Sequence, residues 1–126
     1  QTKVGDRIKL DAMVQINTET DGTGDLALSS VSIALRRRTL LPGQDTTTST
    51  ELIIIRIRDD ELNNPEGTGG NDYTRIASLT WVDIPPAGIN TYSLETVAIG
   101  TDNIESRTYS NRSLNATIFP IGNALN

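Results

Sequence analysis

Between Arg7 and Asn17 every second residue is the kind a folded chain hides. Ile8, Leu10, Ala12, Val14 and Ile16 fall on one side of an extended backbone, with Arg7, Lys9, Asp11, Met13, Gln15 and Asn17 on the other. That is the pattern of a strand with one buried face, and a slip of one residue would turn its whole apolar row to water. The pattern returns through the chain. Ala27, Ser29, Val31, Ile33 and Leu35 alternate with Leu28, Ser30, Ser32 and Ala34 within Leu26 to Leu35; the small serines suggest close approach of another sheet or subunit. Ile53, Ile55 and Ile57 alternate with Leu52, Ile54, Arg56 and Arg58, and the first half of that run reads as covered on both faces. Tyr73, Arg75, Ala77, Leu79, Trp81 and Asp83 oppose Thr74, Ile76, Ser78, Thr80, Val82 and Ile84, and Tyr92, Leu94, Thr96 and Ala98 share a face within Thr91 to Ile99. Ile104 to Phe119 reads as one long bulged strand in preference to two short ones broken near Ser110-Asn111.

No segment carries helical periodicity. The expected fold is therefore all-β: about seven or eight antiparallel strands in a two-sheet sandwich, with a jelly roll preferred to an immunoglobulin-like sandwich, whose Cys…Trp…Cys spacing is missing. The chain has 126 residues, enough for one core and one domain. The expected division is an arm over 1–6, the sandwich over 7–119 and a tail over 120–126. Turns are expected at Asp21-Gly22 and Thr23-Gly24, at Leu40-Leu41-Pro42-Gly43, at a Pro85-Pro86-Ala87-Gly88 hairpin corner, and at Gly100 to Asn103. Asp59 to Asp72 reads as the one long irregular loop. The chain opens at Gln1 without a Met, consistent with an N-terminal Met, leader or propeptide having been removed or lying outside it.

Composition narrows the chemistry. Histidine and cysteine are both absent, which removes the commonest general base, the commonest transition-metal ligand and any disulfide or thiolate site. Ser-His-Asp, Cys-His and zinc chemistry are excluded with them. A formal charge of -5 opposes nucleic-acid binding, which needs cationic surface to displace phosphate counterions. Arg36, Arg37 and Arg38 form the only basic cluster and read as a solvated strand end facing acidic neighbours. No apolar run is long enough for a membrane helix, so membrane insertion is not expected. The acidic stretch containing Asp59, Asp60, Glu61, Asn63, Asn64, Glu66, Asn71 and Asp72 offers oxygens of the kind calcium takes, but without the spacing of a calcium loop. It reads as a solvated turn. Asp83 and Glu95 could be offered as a glycosidase pair; the plainer reading has Asp83 capping a turn and Glu95 pointing away from the Tyr92/Leu94 face. Asn111-Arg112-Ser113 and Asn115-Ala116-Thr117 match the glycosylation acceptor pattern but are read as strand geometry, with Arg112 available to an acidic neighbour. A lone Trp81 is more often core or interface filling than a sugar platform. No catalytic residue, metal or cofactor is expected.

From Ala77 to Phe119 the order of motifs is a Trp-containing strand into Asp83-Ile84-Pro85, then Tyr92-Ser93-Leu94, then Asn111-Arg112-Ser113-Leu114-Asn115-Ala116. This order resembles the C-terminal half of the TNF-like jelly-roll domains on the spore surface of Bacillus-type bacteria, the heads of exosporium collagen-like proteins and small spore-appendage proteins. The resemblance implies a non-enzymatic, extracellular structural subunit at a bacterial spore or cell surface. Its partners would be copies of itself, as a trimer or a helical fibre, together with other spore- or cell-surface proteins. Residues 1–6 carry no Gly-x-y repeat; the fibre is favoured because arm and tail bracket a domain without pocket chemistry and rich in Thr, Ser and Asn, with the arm before Arg7 reaching the adjacent subunit. The contact residues expected on this reading are Thr2, Val4, Ile8, Leu10, Phe119 and Ile121. The competing expectation is a carbohydrate- or receptor-binding tip, phage-tail or lectin-like, using the Asp59–Asp72 loop and Trp81. Separately, Glu51 to Arg58 has aggregation-prone character with Arg56 and Arg58 as gatekeepers, so its edge has to be covered.

Overall fold

The computed structural model describes residues 1–122. Six strands form two three-stranded antiparallel sheets packed face to face, with no α-helix among the described residues. They are β1 (Arg7–Thr20), β2 (Ala27–Leu40), β3 (Thr50–Asn63), β4 (Asp72–Asp83), β5 (Ile89–Asp102) and β6 (Ile104–Phe119), and a single 3-10 turn, Thr46–Thr48, sits between β2 and β3. One sheet has the order β4-β1-β6 and the other β3-β2-β5. The expectation of an all-β two-layer body is met. The expected seven or eight strands are six, and two sheets of three are not the full eight-stranded double Greek key. The strand total fell because the chain spends its length on long strands, 12 to 16 residues from β3 to β6.

β1 and β2 are the middle strands of their sheets, so both bury their inward rows. Ile8, Leu10, Ala12, Val14 and Ile16 meet Val31, Ile33 and Leu35 across the interface. Leu79 and Leu94 pack against both halves of this core. Burying a side chain of that size contributes about 1.5–3 kcal/mol, so the alternating rows identified in the sequence are the main source of cohesion. Ile8 and Leu10, expected as contact residues, are 2% and 0% exposed and belong to the chain's own core.

Only β2 and β3 form a hairpin within one sheet; every other connection crosses from sheet to sheet. The Pro85–Gly88 segment is therefore a corner between layers and not the expected hairpin. Its two prolines cannot extend a ladder, and Gly88, at φ 137°, lies so close to Leu40 that a Cβ would stand 2.3 Å from that backbone oxygen. The Gly100–Asn103 connection contracts to Asn103 alone, which takes φ 55° between β5 and β6 and donates from Nδ2 to the Leu26 oxygen at 2.8 Å. β6 is the single bulged strand expected, its register against β1 shifting between Met13 and Gln15 beside Asn111 at φ 45°.

Two boundaries differ from expectation. β2 continues through the Arg triplet to Leu40, and β3 continues through Asp59–Asn63, which shortens the acidic loop to 64–71. In both places charges keep the strand's period because each finds an opposite charge. The first half of β3 is also not covered on both faces, since Leu52 and Ile53 remain exposed on an edge strand. Of the expected tail, Ile121 and Gly122 form a turn after Pro120, and 123–126 fall outside the described residues.

Candidate functional site

The inward rows carry charges as well as hydrocarbon, and these are used between the sheets. Arg37 of β2 donates from Nη1 to both oxygens of Asp83 on β4, at 2.8 and 2.7 Å, and the Tyr92 hydroxyl of β5 donates to Asp83 Oδ2 at 2.9 Å. Arg37 and Asp83 are both buried. Arg37 is thus not the solvated residue expected, and Asp83 caps no turn: it accepts from two side chains of the facing sheet. Arg36 and Arg38 do face acids, Arg36 pairing with Glu51 and Glu95 and Arg38 with Glu51. Burial first, and the Asp83 carboxylate second, hold the Tyr92 phenol well above its ordinary value of 10.0. A proton held more tightly by the folded state stabilises the fold below the unfolded value and loses its effect as pH rises past it. Stability is therefore expected to fall above about pH 10. Phenolate absorbance of the wild type minus that of Tyr92→Phe should show the Tyr92 phenol failing to titrate until the protein unfolds; if Tyr92→Phe leaves the alkaline limb of stability unchanged, this assignment fails.

At the other end Arg75 of β4 binds Asp59 and Glu61 of β3, with Nε 2.5 Å from Asp59 Oδ1. Arg107 of β6 donates to Ser29 Oγ at 3.0 Å and to the Gly100 oxygen at 3.2 Å. Alternation sends Asp60 to the opposite face, where it accepts from Arg58. The would-be calcium ligands are split between two faces and partly neutralised, and the described residues hold no cluster of three or more metal-binding side chains. Asp83 and Glu95, the nominal glycosidase pair, are likewise kept apart, one inside against Arg37 and the other outside against Arg36.

The remaining candidates lie at the outside of the body. Thr2 is buried and bridges Gly88 through paired backbone bonds of 2.8 and 3.1 Å. Its hydroxyl donates to the Pro86 oxygen, so the arm expected to reach a neighbour is docked on its own chain. Asp6 accepts from the amides of Lys3 and Ile121, tying the arm to the end of β6. Around that tie Val4, Phe119 and Ile121 are 80%, 52% and 63% exposed. Ile84 and Ile89 flank the corner and are exposed too. One end of the sandwich is thereby apolar, and three of the six expected contact residues are part of it. Trp81 faces inward opposite Leu10 but is 39% exposed, because β4 is an edge and nothing pairs beyond it. The glycosylation-like asparagines sit on β6, Asn111 donating to Gln15 at 2.7 Å and Asn115 opposite Asp11; Arg112 makes no ion pair among the described residues.

No protein-family model, curated protein or solved structure matches this chain. Among the described residues no helix is long and apolar enough to cross a membrane.

Proposed function

We propose that this chain is a non-enzymatic structural subunit that assembles with copies of itself into a fibre or layer on a bacterial spore or cell surface. The observation that carries the proposal is the set of free edges. β3, β4, β5 and β6 each lack a hydrogen-bonded neighbour on one side along 12 to 16 residues, far longer than the short edge of a strand built to stay solitary, and only local devices, such as Arg56 and Arg58 on β3 and the bulge on β6, interrupt them. None of the four strands contains a proline. An exposed, apolar end around Val4, Phe119 and Ile121 adds a second contact surface. Such surfaces join head to tail as readily as in pairs, and a head-to-tail contact that does not close propagates as a filament. The docked arm moves the proposed contact from the arm to the edges and the apolar end. The spore-surface setting rests on the similarity of Ala77–Phe119 to the TNF-like spore proteins.

The test combines sedimentation velocity with electron micrographs. Wild-type protein at submillimolar concentration should form filaments or a defined oligomer. The pair Phe119→Asp and Ile121→Asp should dissociate it while circular dichroism stays that of a β protein. Wild-type protein that remains monomeric removes the proposal. Deleting residues 1–6 should leave assembly in place; loss of polymers would return the linkage to the arm.

A further inference from the structure

The outward face of the β4-β1-β6 sheet differs from the apolar end. Along β6 the outward positions include Ser106, Thr108, Ser110, Ser113, Asn115 and Thr117; next to them β1 presents Asn17 and Gln15 at one end and Asp11 and Lys9 at the other, and β4 adds Thr74, Ser78 and Thr80 together with the exposed Ile76 and Val82. Toward the Thr20 end of β1 this hydroxyl- and amide-rich face holds an open groove of about 390 Å³. Two transverse rows make its floor. Thr74, Asn17 and Thr108 lie side by side in one, and Asp72, Glu19 and Ser106 in the next.

We infer that this groove is a binding site for a neutral saccharide that presents vicinal hydroxyls. The side chains are already oriented by one another. Asn17 accepts from Thr74 at 3.1 Å and from Gln15 at 2.9 Å, and donates to Ser110 at 2.9 Å; Ser106 donates to Glu19 Oε2 at 3.2 Å. That leaves Glu19 Oε1 and the Asp72 carboxylate without a hydrogen-bond donor or a basic partner among the described residues. Two carboxylates set directly opposite each other repel, an arrangement a merely structural sheet has reason to avoid. Both accept strongly from hydroxyl donors, and adjacent sugar hydroxyls offer two such donors at a carboxylate's spacing. The same charges turn away sialylated, uronic or phosphorylated ligands, as does the net charge of -5. An apolar ligand finds no aliphatic wall, since Tyr73 is the only largely apolar side chain in the lining. The volume suits about one to two hexose rings, at the small end of ligand sites.

The site lies away from the apolar end, so it stands or falls independently of self-assembly. Saturation-transfer NMR reads the sugar's signals whether the protein is single or polymeric. With maltose, cellobiose, mannobiose and N,N′-diacetylchitobiose as probes, at least one should receive saturation, with a dissociation constant of about 1 mM. Glu19→Gln with Asp72→Asn keeps shape and removes charge, and should weaken that binding about 10- to 100-fold; Glu95→Gln on the other sheet should not. No transfer to any of the four sugars overturns the assignment. So does transfer that survives the double substitution, or transfer that a chelator abolishes, which would make a cation the ligand.

Discussion

Replacing Arg37 with alanine is expected to cost about 3–5 kcal/mol of folding stability, because it leaves the Asp83 carboxylate inside the sandwich with only the Tyr92 hydroxyl to face. The two charges sit between β2 of one sheet and β4 of the other, each nine-tenths buried. Their mutual attraction offsets the desolvation of both; removing one leaves the other's desolvation uncompensated. The partner test is the double change Arg37→Met with Asp83→Leu, which removes both charges and should recover most of the loss, since hydrophobic replacement of a buried pair is often neutral. Urea unfolding reads both. A cost for Arg37→Ala within about 0.5 kcal/mol, the range of ordinary surface changes, would mean that water reaches the pair and that it does not clamp the sheets.

The parity of the sequence puts both members of this pair on inward rows, though it does not set them against each other. Arg37 keeps step with Ile33 and Leu35, and Asp83 with Leu79 and Trp81, so both fall on inward rows. Treating Arg36, Arg37 and Arg38 as one solvated cluster hid the fact that alternation gives the middle member a different environment from its neighbours. The same blindness made a loop of Asp59 and Glu61, which share a row with Ile57 and hold Arg75. Strand faces were legible wherever no bulge intervenes, because the period of two is set by the backbone itself; the expected row of Ile53, Ile55 and Ile57 is broken by the register shift opposite Leu35 and Arg36, which turns Ile53 to the outward face of Arg36 while Ile55 stays inward opposite Leu35. Which sheet each strand joins was not legible: Pro85-Pro86-Ala87-Gly88 announces a sharp corner, but a hairpin and a change of layer both satisfy two prolines and a glycine. The docked arm was unreadable for a similar reason, since Thr2 reveals its role only once Gly88 and Pro86 stand beside it. Nor could the groove be anticipated, as Glu19, Asp72 and Ser106 are far apart in the chain and meet only through the register of β1 with both neighbours.

Truncating Ile33 to alanine should destabilise the fold by about 2–5 kcal/mol, the range for deleting a large buried aliphatic side chain. Ile33 is 2% exposed on the middle strand of its sheet and packs into the cluster of Val14, Ile16, Val31 and Ala77. Its strand is hydrogen-bonded on both sides, to Ile57 of β3 and Thr96 of β5, so the backbone cannot move in to fill the space left behind. Val97 is on the same sheet, one strand over and facing outward beside Ser32. Val97→Ala should change stability by no more than about 0.5 kcal/mol. The contrast isolates the physical content of the alternating pattern: β-propensity alone would make the two substitutions similar, whereas burial between two sheets separates them several-fold. Equal costs in thermal or urea unfolding would show that the sandwich interior is not packed as its buried rows require.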